Sequence, residues 1–156
     1  WEGAGRLPEA VEAAREAEPD FLNKDIVRMV LADQYAQLGD LQAIVALTEG
    51  VMNKYNYGAL LCVYRAMALR LLAEPGRALE ALREALKAEQ RLPAIRFAAL
   101  SERSRTYEST GNLVAARREL KRILDENSLV PGIRSRWEAL LAKGDEQPDR
   151  QSPGAA

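Results

Sequence analysis

The side chains that most often carry enzyme chemistry are scarce in this chain of 156 residues. Histidine is absent, and there is one cysteine, Cys62. Without histidine the chain cannot form a Ser-His triad, a Cys-His dyad or an imidazole metal site, and one cysteine makes no multi-thiolate zinc site. No glycine-rich phosphate loop and no paired carboxylates on one predicted face with a cleft are present. We therefore expect no enzymatic activity, no cofactor and no metal ion.

The cysteine has two interpretations. It lies in the apolar run 60–63, at a position where a helix is expected to pack. The first interpretation is a small, buried hydrophobic residue. The alternative is a redox-sensing thiol, which would need an accessible sulfur with a lowered pKa.

The composition is that of a chain that forms a core. Hydrophobic residues make up 47% and charged residues 29%, and 22 basic against 23 acidic side chains leave a net charge of −1. This balance argues against a globally basic nucleic-acid binder. Abundant alanine, leucine, glutamate and arginine favour helix over strand. The apolar stretch 59–73 is interrupted by Arg65 and Arg70, and no secretory signal is visible, so we expect a cytoplasmic location without a membrane anchor.

The chain repeats itself. Four segments share one spacing, in which an aromatic or large apolar residue is followed after four positions by a turn and after nine positions by a small or apolar residue. The segments begin at Trp1, Tyr35, Leu69 and Tyr107. The residues nine positions later, separated by 34, 34 and 38, are Ala10, Ile44, Ala78 and Ala116. A period of 34 residues with helical spacing resembles the tetratricopeptide repeat family.

The residues of each repeat also predict its local structure. Two amphipathic stretches are joined by a tight turn. Gly39 and Gly111 fit the left-handed residue that ends a helix, and Asp40 and Asn112 fit the cap of the next one. Small residues at the shared position allow two helices to approach closely, whereas Ile44 should widen that crossing. The predicted helices are 7–18, 22–38, 41–53, 56–73, 75–91, 93–110, 113–126 and 131–143; the four extra residues near 87–92 are interpreted as a lengthened helix.

The resemblance implies an all-α fold, a right-handed superhelix of antiparallel helix pairs with about three full repeats. The expected organisation is a partial repeat 1–24, repeats 25–58, 59–92 and 97–130, a capping helix 131–143 and a disordered tail 144–156. Because Trp1 stands at the position of Tyr35 and Tyr107, the chain is expected to start within a repeat and to come from a longer protein.

The resemblance also implies a function. In tetratricopeptide domains the first helix of each repeat lines a concave groove that binds a partner segment. The matching residues are Met29, Val30, Asp33, Gln37, Val63, Tyr64, Met67, Arg70, Ser101, Glu102, Arg105, Glu108 and Arg136. We therefore expect a protein-interaction module of a larger protein, whose groove takes a protein or peptide segment with apolar anchors. The alternative is an intramolecular regulatory arm that packs on a catalytic or DNA-binding domain of the parent chain.

Two further binding modes follow less well from the sequence. One tetratricopeptide subfamily holds a chaperone's C-terminal carboxylate with basic side chains, but the matching positions here include Asp33, Tyr64 and Glu102, so no such clamp is expected. Residues 91–136 carry 10 basic and 5 acidic side chains, and residues 1–34 carry 4 basic and 8 acidic. We interpret the basic excess as the solvated face of helix 113–126. The alternatives are steering of an acidic partner or weak head-to-tail self-association. Nucleic acid is not an expected partner.

Overall fold

All regular structure in the described part of the chain is α-helical. The computed structural model describes residues 21–88 and 91–146, and within these ranges it contains seven helices and no strand. They are α1 (Phe21–Leu38), α2 (Leu41–Leu47), α3 (Asn56–Leu71), α4 (Pro75–Ala85), α5 (Pro93–Ser109), α6 (Leu113–Glu126) and α7 (Ile133–Glu146). The all-α prediction is confirmed at this level. The predicted helix 7–18 lies outside the described residues.

The turns after α1, α3 and α5 share one hydrogen-bond pattern. After α1, the N–H of Asp40 donates to the carbonyl of Tyr35 at 2.9 Å, and the N–H of Gly39 donates to that of Ala36 at 3.1 Å. The equivalent six-residue bonds join Glu74 to Leu69 at 2.8 Å and Asn112 to Tyr107 at 2.9 Å. This pair of hydrogen bonds is typical of a helix end that is closed by a residue in the left-handed conformation. The residues aligned by the sequence therefore adopt the same turn three times.

The left-handed position of these turns holds two glycines and one alanine. The φ angles are 71° at Gly39, 79° at Gly111 and 61° at Ala73. Glycine adopts this conformation without steric cost, whereas the Cβ of Ala73 meets the backbone. The predicted caps are confirmed: the side chain of Asp40 accepts the N–H of Ala43, and that of Asn112 accepts the N–H of Ala115, both at 3.1 Å.

The residues group into two compact units that divide between Ala99 and Leu100. In the first unit α3 and α4 pack most extensively, and α1, α2 and α3 contact one another. Its core cluster consists of Cys62, Ala66, Leu69, Ala78, Ala81, Leu82, Ala85 and Ala99. Ile44 and Ala78, at the shared repeat position, have no exposed surface. Because alanine predominates in the cluster, the helix backbones lie close together.

Helix α2 is shorter than predicted, because it ends at Leu47 instead of residue 53. The hydroxyl of Thr48 donates back to the carbonyl of Ile44 at 2.7 Å, and the guanidinium of Arg65 on α3 donates to the carbonyl of Val45 at 2.8 Å. Gly50 then turns the chain with a φ of 71°. The last carbonyls of the helix are thus satisfied by side chains, and residues 48–55 form a loop.

The predicted lengthening of the fourth helix is wrong, since α4 ends at Ala85. Its last carbonyls are taken by a side chain from the loop before α3. The amide nitrogen of Asn53 donates to the carbonyl of Glu84 at 2.9 Å and to that of Ala85 at 3.1 Å. Arg91 in turn donates to the side-chain oxygen of Asn53 at 2.6 Å and to its carbonyl at 2.9 Å. Arg91, in the stretch that holds the extra residues, therefore contacts this loop.

The second unit contains the end of α5 together with α6 and α7. Ala116 on α6 has no exposed surface, and the hydroxyl of Ser104 on α5 donates to its carbonyl at 2.9 Å. Arg117 donates to the carbonyl of Leu140 on α7 at 3.5 Å. Its guanidinium also lies against Gly144 of α7, in the space that a Cβ at this position would occupy. Helix α7 continues to Glu146, so residues 144–146 of the predicted tail are helical. The rest of that tail lies outside the described residues.

Candidate functional site

A carboxylate links two of the helices that were expected to line the groove. Asp33 on α1 accepts a hydrogen bond from the hydroxyl of Tyr64 on α3, with an O–O distance of 3.3 Å. The amide of Gln37 donates to the other carboxylate oxygen at 2.9 Å. Burial, together with the nearby Asp33 carboxylate, raises the pKa of Tyr64, so this hydroxyl stays a donor at neutral pH. Three of the predicted site residues are thus brought together.

Exposed apolar side chains flank this polar link. Ile26 and Val30 precede Asp33 on the same stripe of α1, with exposed fractions of 38% and 54%. Tyr57 and Leu71 lie seven residues before and after Tyr64, on one stripe of α3, and are 41% and 54% exposed. We call these two stripes the α1–α3 strip; its members are Ile26, Val30, Asp33, Gln37, Tyr57, Tyr64 and Leu71. An apolar surface of this kind, with a polar centre, is suited to contact with another protein.

The other predicted site residues of the first unit are less accessible. Met29, Met67 and Arg70 are each half-buried. Val63 packs against the core cluster and so contributes to the interior of the unit. The two methionines can still offer a flexible apolar surface at the edge of the strip.

In the second unit the predicted site residues are polar, and several are engaged in pairs. Arg136 donates to the hydroxyl of Ser101 at 2.7 Å. Glu108 accepts a hydrogen bond from Lys143 at 3.3 Å. Glu102 is buried, with 7% of its surface exposed, whereas Arg105 is exposed. These contacts place α7 beside the end of α5.

Sequence reasoning missed three apolar members of the strip and one basic partner. Ile26, Tyr57 and Leu71 follow the same spacings of four and seven residues as the residues it named, so the helical period could have found them. Lys143 could not have been assigned to Glu108, because that ion pair depends on how α7 packs.

Cys62 is a buried residue, as the first interpretation proposed. It is 2% exposed, and its sulfur lies 3.7 Å from the carbonyl of Val51. Burial, with the Glu84 carboxylate adding to the effect, raises the pKa of the Cys62 thiol to about 12. The thiol is therefore protonated at neutral pH and is a poor nucleophile.

The basic face of α6 is organised around a buried glutamate. Glu119 is 2% exposed and accepts a hydrogen bond from Arg103 on α5 at 2.7 Å. Arg122 lies 3.5 Å and Arg118 3.9 Å from the same carboxylate. Both of these guanidinium groups are largely exposed, and Lys121 beside them pairs with Asp125. The face is therefore solvated, and part of its charge is already neutralised within the unit.

The described residues contain neither a metal-ligand cluster nor a membrane-spanning helix. Among residues 21–88 and 91–146 no group of three or more aspartate, glutamate, cysteine or histidine side chains could hold a metal ion. None of the helices in these ranges is long and apolar enough to cross a bilayer. Searches against protein-family models, curated proteins and solved structures found no match to this chain.

Proposed function

We propose that this chain is a non-enzymatic protein-interaction module that binds a segment of a partner protein on the α1–α3 strip. The observation that carries the proposal is the set of exposed apolar side chains, Ile26, Val30, Tyr57 and Leu71, on two helices joined by the bond between Tyr64 and Asp33. Large apolar side chains that stand together on adjacent helices lose unfavourable contact with water when a partner covers them.

The strip provides both affinity and orientation. Tyr57 and Leu71 offer aromatic and aliphatic contact area, which concentrates binding energy at interfaces. Asp33 adds a charged acceptor between the apolar ends, and an N–H donor or a basic side chain of the partner would be oriented by it. The partner is thus expected to be a segment with two apolar anchors and a donor between them. The predicted site residues of the second unit are polar instead, and Ser101, Glu108 and Arg136 are engaged in hydrogen bonds.

The experiment that tests the proposal uses photo-crosslinking followed by titration. A photoreactive amino acid at position 30 captures the bound protein from an extract of the source organism, and the same amino acid at position 114 serves as the control. Val114 is a matched position because it is also an exposed valine on a helix, with 57% of its surface exposed, but lies outside the strip. The captured segment is then synthesised and titrated against the purified chain.

The expected dissociation constant is near micromolar, which corresponds to a binding free energy of about −8 kcal/mol. Val30→Asp and Tyr64→Ala should each weaken binding by about 1–2 kcal/mol, and Val114→Asp should leave it unchanged. Arg118→Gln combined with Arg122→Gln should alter mainly the association rate and its salt dependence, because both side chains are more than half exposed on the basic face of α6. Loss of binding in the double arginine variant, with normal binding in the strip variants, would move the site to the basic face of α6. A captured segment from the same polypeptide would make the module an intramolecular arm.

A further inference from the structure

The first unit contains a cavity that the α1–α3 strip does not include. It lies between the start of α1 and the loop 48–55, and its volume is about 210 Å³. A water molecule occupies about 30 Å³ of liquid, so the cavity has room for one amino-acid side chain. It is bordered by a charged pair on α1, Asp25 and Arg28, and by residues of the loop, among them Met52, Tyr55 and the cation Lys54.

Asp25 is the buried charge of this cavity. It is 5% exposed, and Arg28 is its hydrogen-bond partner at 3.5 Å, the outer limit for such a bond. The start of α3 confines it on another side, since a Cβ at Gly58 would lie 3.4 Å from its carboxylate oxygen. Burial raises the pKa of Asp25, and this effect exceeds the opposite one of Arg28. The carboxylate is therefore largely removed from water, and its hydrogen bond to Arg28 is long.

The loop supplies a wall suited to methylene groups and to a cation. Met52 and Tyr55 are 55% and 50% exposed, and Val51 is half-buried beside them. Apolar walls next to a buried carboxylate suit a long side chain with a charged tip. The face of a tyrosine ring also attracts cations.

Hydrogen bonds hold the loop that forms this wall. Asn53, which lies in sequence between the lining residues Met52 and Lys54, contacts the end of α4 and Arg91 through its side chain and carbonyl. In addition, the N–H of Asn53 donates to the carboxylate of Glu84 at 3.1 Å. A site that is already in its bound shape loses less conformational freedom when it binds, so even a single side chain can be held.

We propose that this cavity binds a lysine side chain of a partner protein, with the ammonium against Asp25 and the methylenes against Met52 and Tyr55. Arg28 and Lys54 also border the cavity and oppose a cation. However, the side chain of Arg28 is 30% exposed and Lys54 is exposed, so solvent screens both charges more than that of Asp25. The proposed lysine site depends on the proposed function in one respect, which is that the lysine belongs to another protein.

A single blocked amino acid tests the cavity without a known partner. The isotope-labelled chain is titrated with Nα-acetyl-lysine N-methylamide, and the backbone amide signals of Met52, Tyr55 and Gly58 are followed by nuclear magnetic resonance. Saturable shifts are expected in the millimolar range. The norleucine analogue, which has a similar aliphatic chain without the charge, and the glutamate analogue should produce none. A diamine that binds more tightly than the lysine probe would assign the cavity to a free polyamine and overturn the proposal.

Two substitutions on α1 test the roles of Asp25 and Arg28 in the cavity. Asp25→Asn should weaken the lysine probe at least tenfold, whereas Arg28→Gln should strengthen it several-fold because a competing cation is removed. Asp125→Asn, at an exposed aspartate of the second unit, should have no effect. Weaker probe binding by Arg28→Gln contradicts the proposal, and so does unchanged binding by a folded Asp25→Asn variant. If Asp25→Asn does not fold, the result with Arg28→Gln is the test. Val30→Asp should leave the probe's affinity unchanged, which separates this site from the strip.

Discussion

Ala73 is the non-glycine residue with a left-handed backbone among residues 21–88 and 91–146. It holds a φ of 61° at a turn where the two equivalent positions are glycines. Ala73→Gly should raise the free energy of unfolding by about 1 kcal/mol, because removing the Cβ relieves the left-handed strain. Urea denaturation measures the change. Gly111→Ala is the matched control and should lose about 1–2 kcal/mol, since nothing lies within 4 Å of its added Cβ and only the backbone cost remains. Equal stability of all three proteins would contradict the assignment.

The thiol of Cys62 provides a second prediction for a single residue. A folded-state pKa of about 12 means that the thiolate is scarce at pH 8. Iodoacetamide should therefore label the native chain much more slowly than the chain in urea, where the pKa returns to its ordinary range and the sulfur is exposed. Mass spectrometry over a time course measures both rates. Rapid labelling of the native protein would restore the interpretation as a redox-sensing thiol.

At this scale the sequence predicted the residues of the turns better than those of the sites. The spacing of Gly39 and Asp40 determines a local geometry that four or five neighbouring residues complete, so no distant contact is needed. Asp33 and Tyr64 also follow from the helical period once the repeat is recognised. Asp25 does not, because its burial depends on a loop that lies more than twenty residues away.

Among the helices, starts were predicted more accurately than ends. The starts of α2, α4 and α6 agree with caps or a proline that the sequence displays. The ends of α2 and α4 were missed by six residues each, since Arg65 and Asn53 satisfy their carbonyls from other elements. An amphipathic pattern can continue past the point where such a side chain ends the helix, so periodicity alone overestimates helix length.

The crossing of α5 and α6 gives a prediction for elements. Ala116 is fully buried where the hydroxyl of Ser104 reaches its carbonyl. Ala116→Leu should reduce the free energy of unfolding by about 1–3 kcal/mol, because the added methylenes have no space between the two backbones. Ala139→Leu, at an exposed alanine of α7, is the control and should change stability by less than about 0.5 kcal/mol. If thermal unfolding finds the two variants equally stable, the crossing is not close at Ala116.

For the whole chain, the far-ultraviolet circular dichroism spectrum should be that of a helical protein. Seven helices account for all regular structure in residues 21–88 and 91–146, and no strand occurs there. The spectrum should show the double minimum of α-helix, with loss of both minima on heating as the helices unfold. A substantial contribution from strand would contradict the all-α fold.

The alanine-rich core of the first unit has a thermodynamic consequence. Five of the eight residues in its cluster are alanines, so unfolding exposes few methylene groups for each helical residue released. The heat-capacity change of unfolding depends mainly on the apolar surface that becomes hydrated. When this heat-capacity change is small, the free energy of unfolding varies less steeply with temperature. The helices of this unit are therefore expected to lose stability gradually on both warming and cooling, and to keep a nearly constant margin over a wide range of growth temperatures.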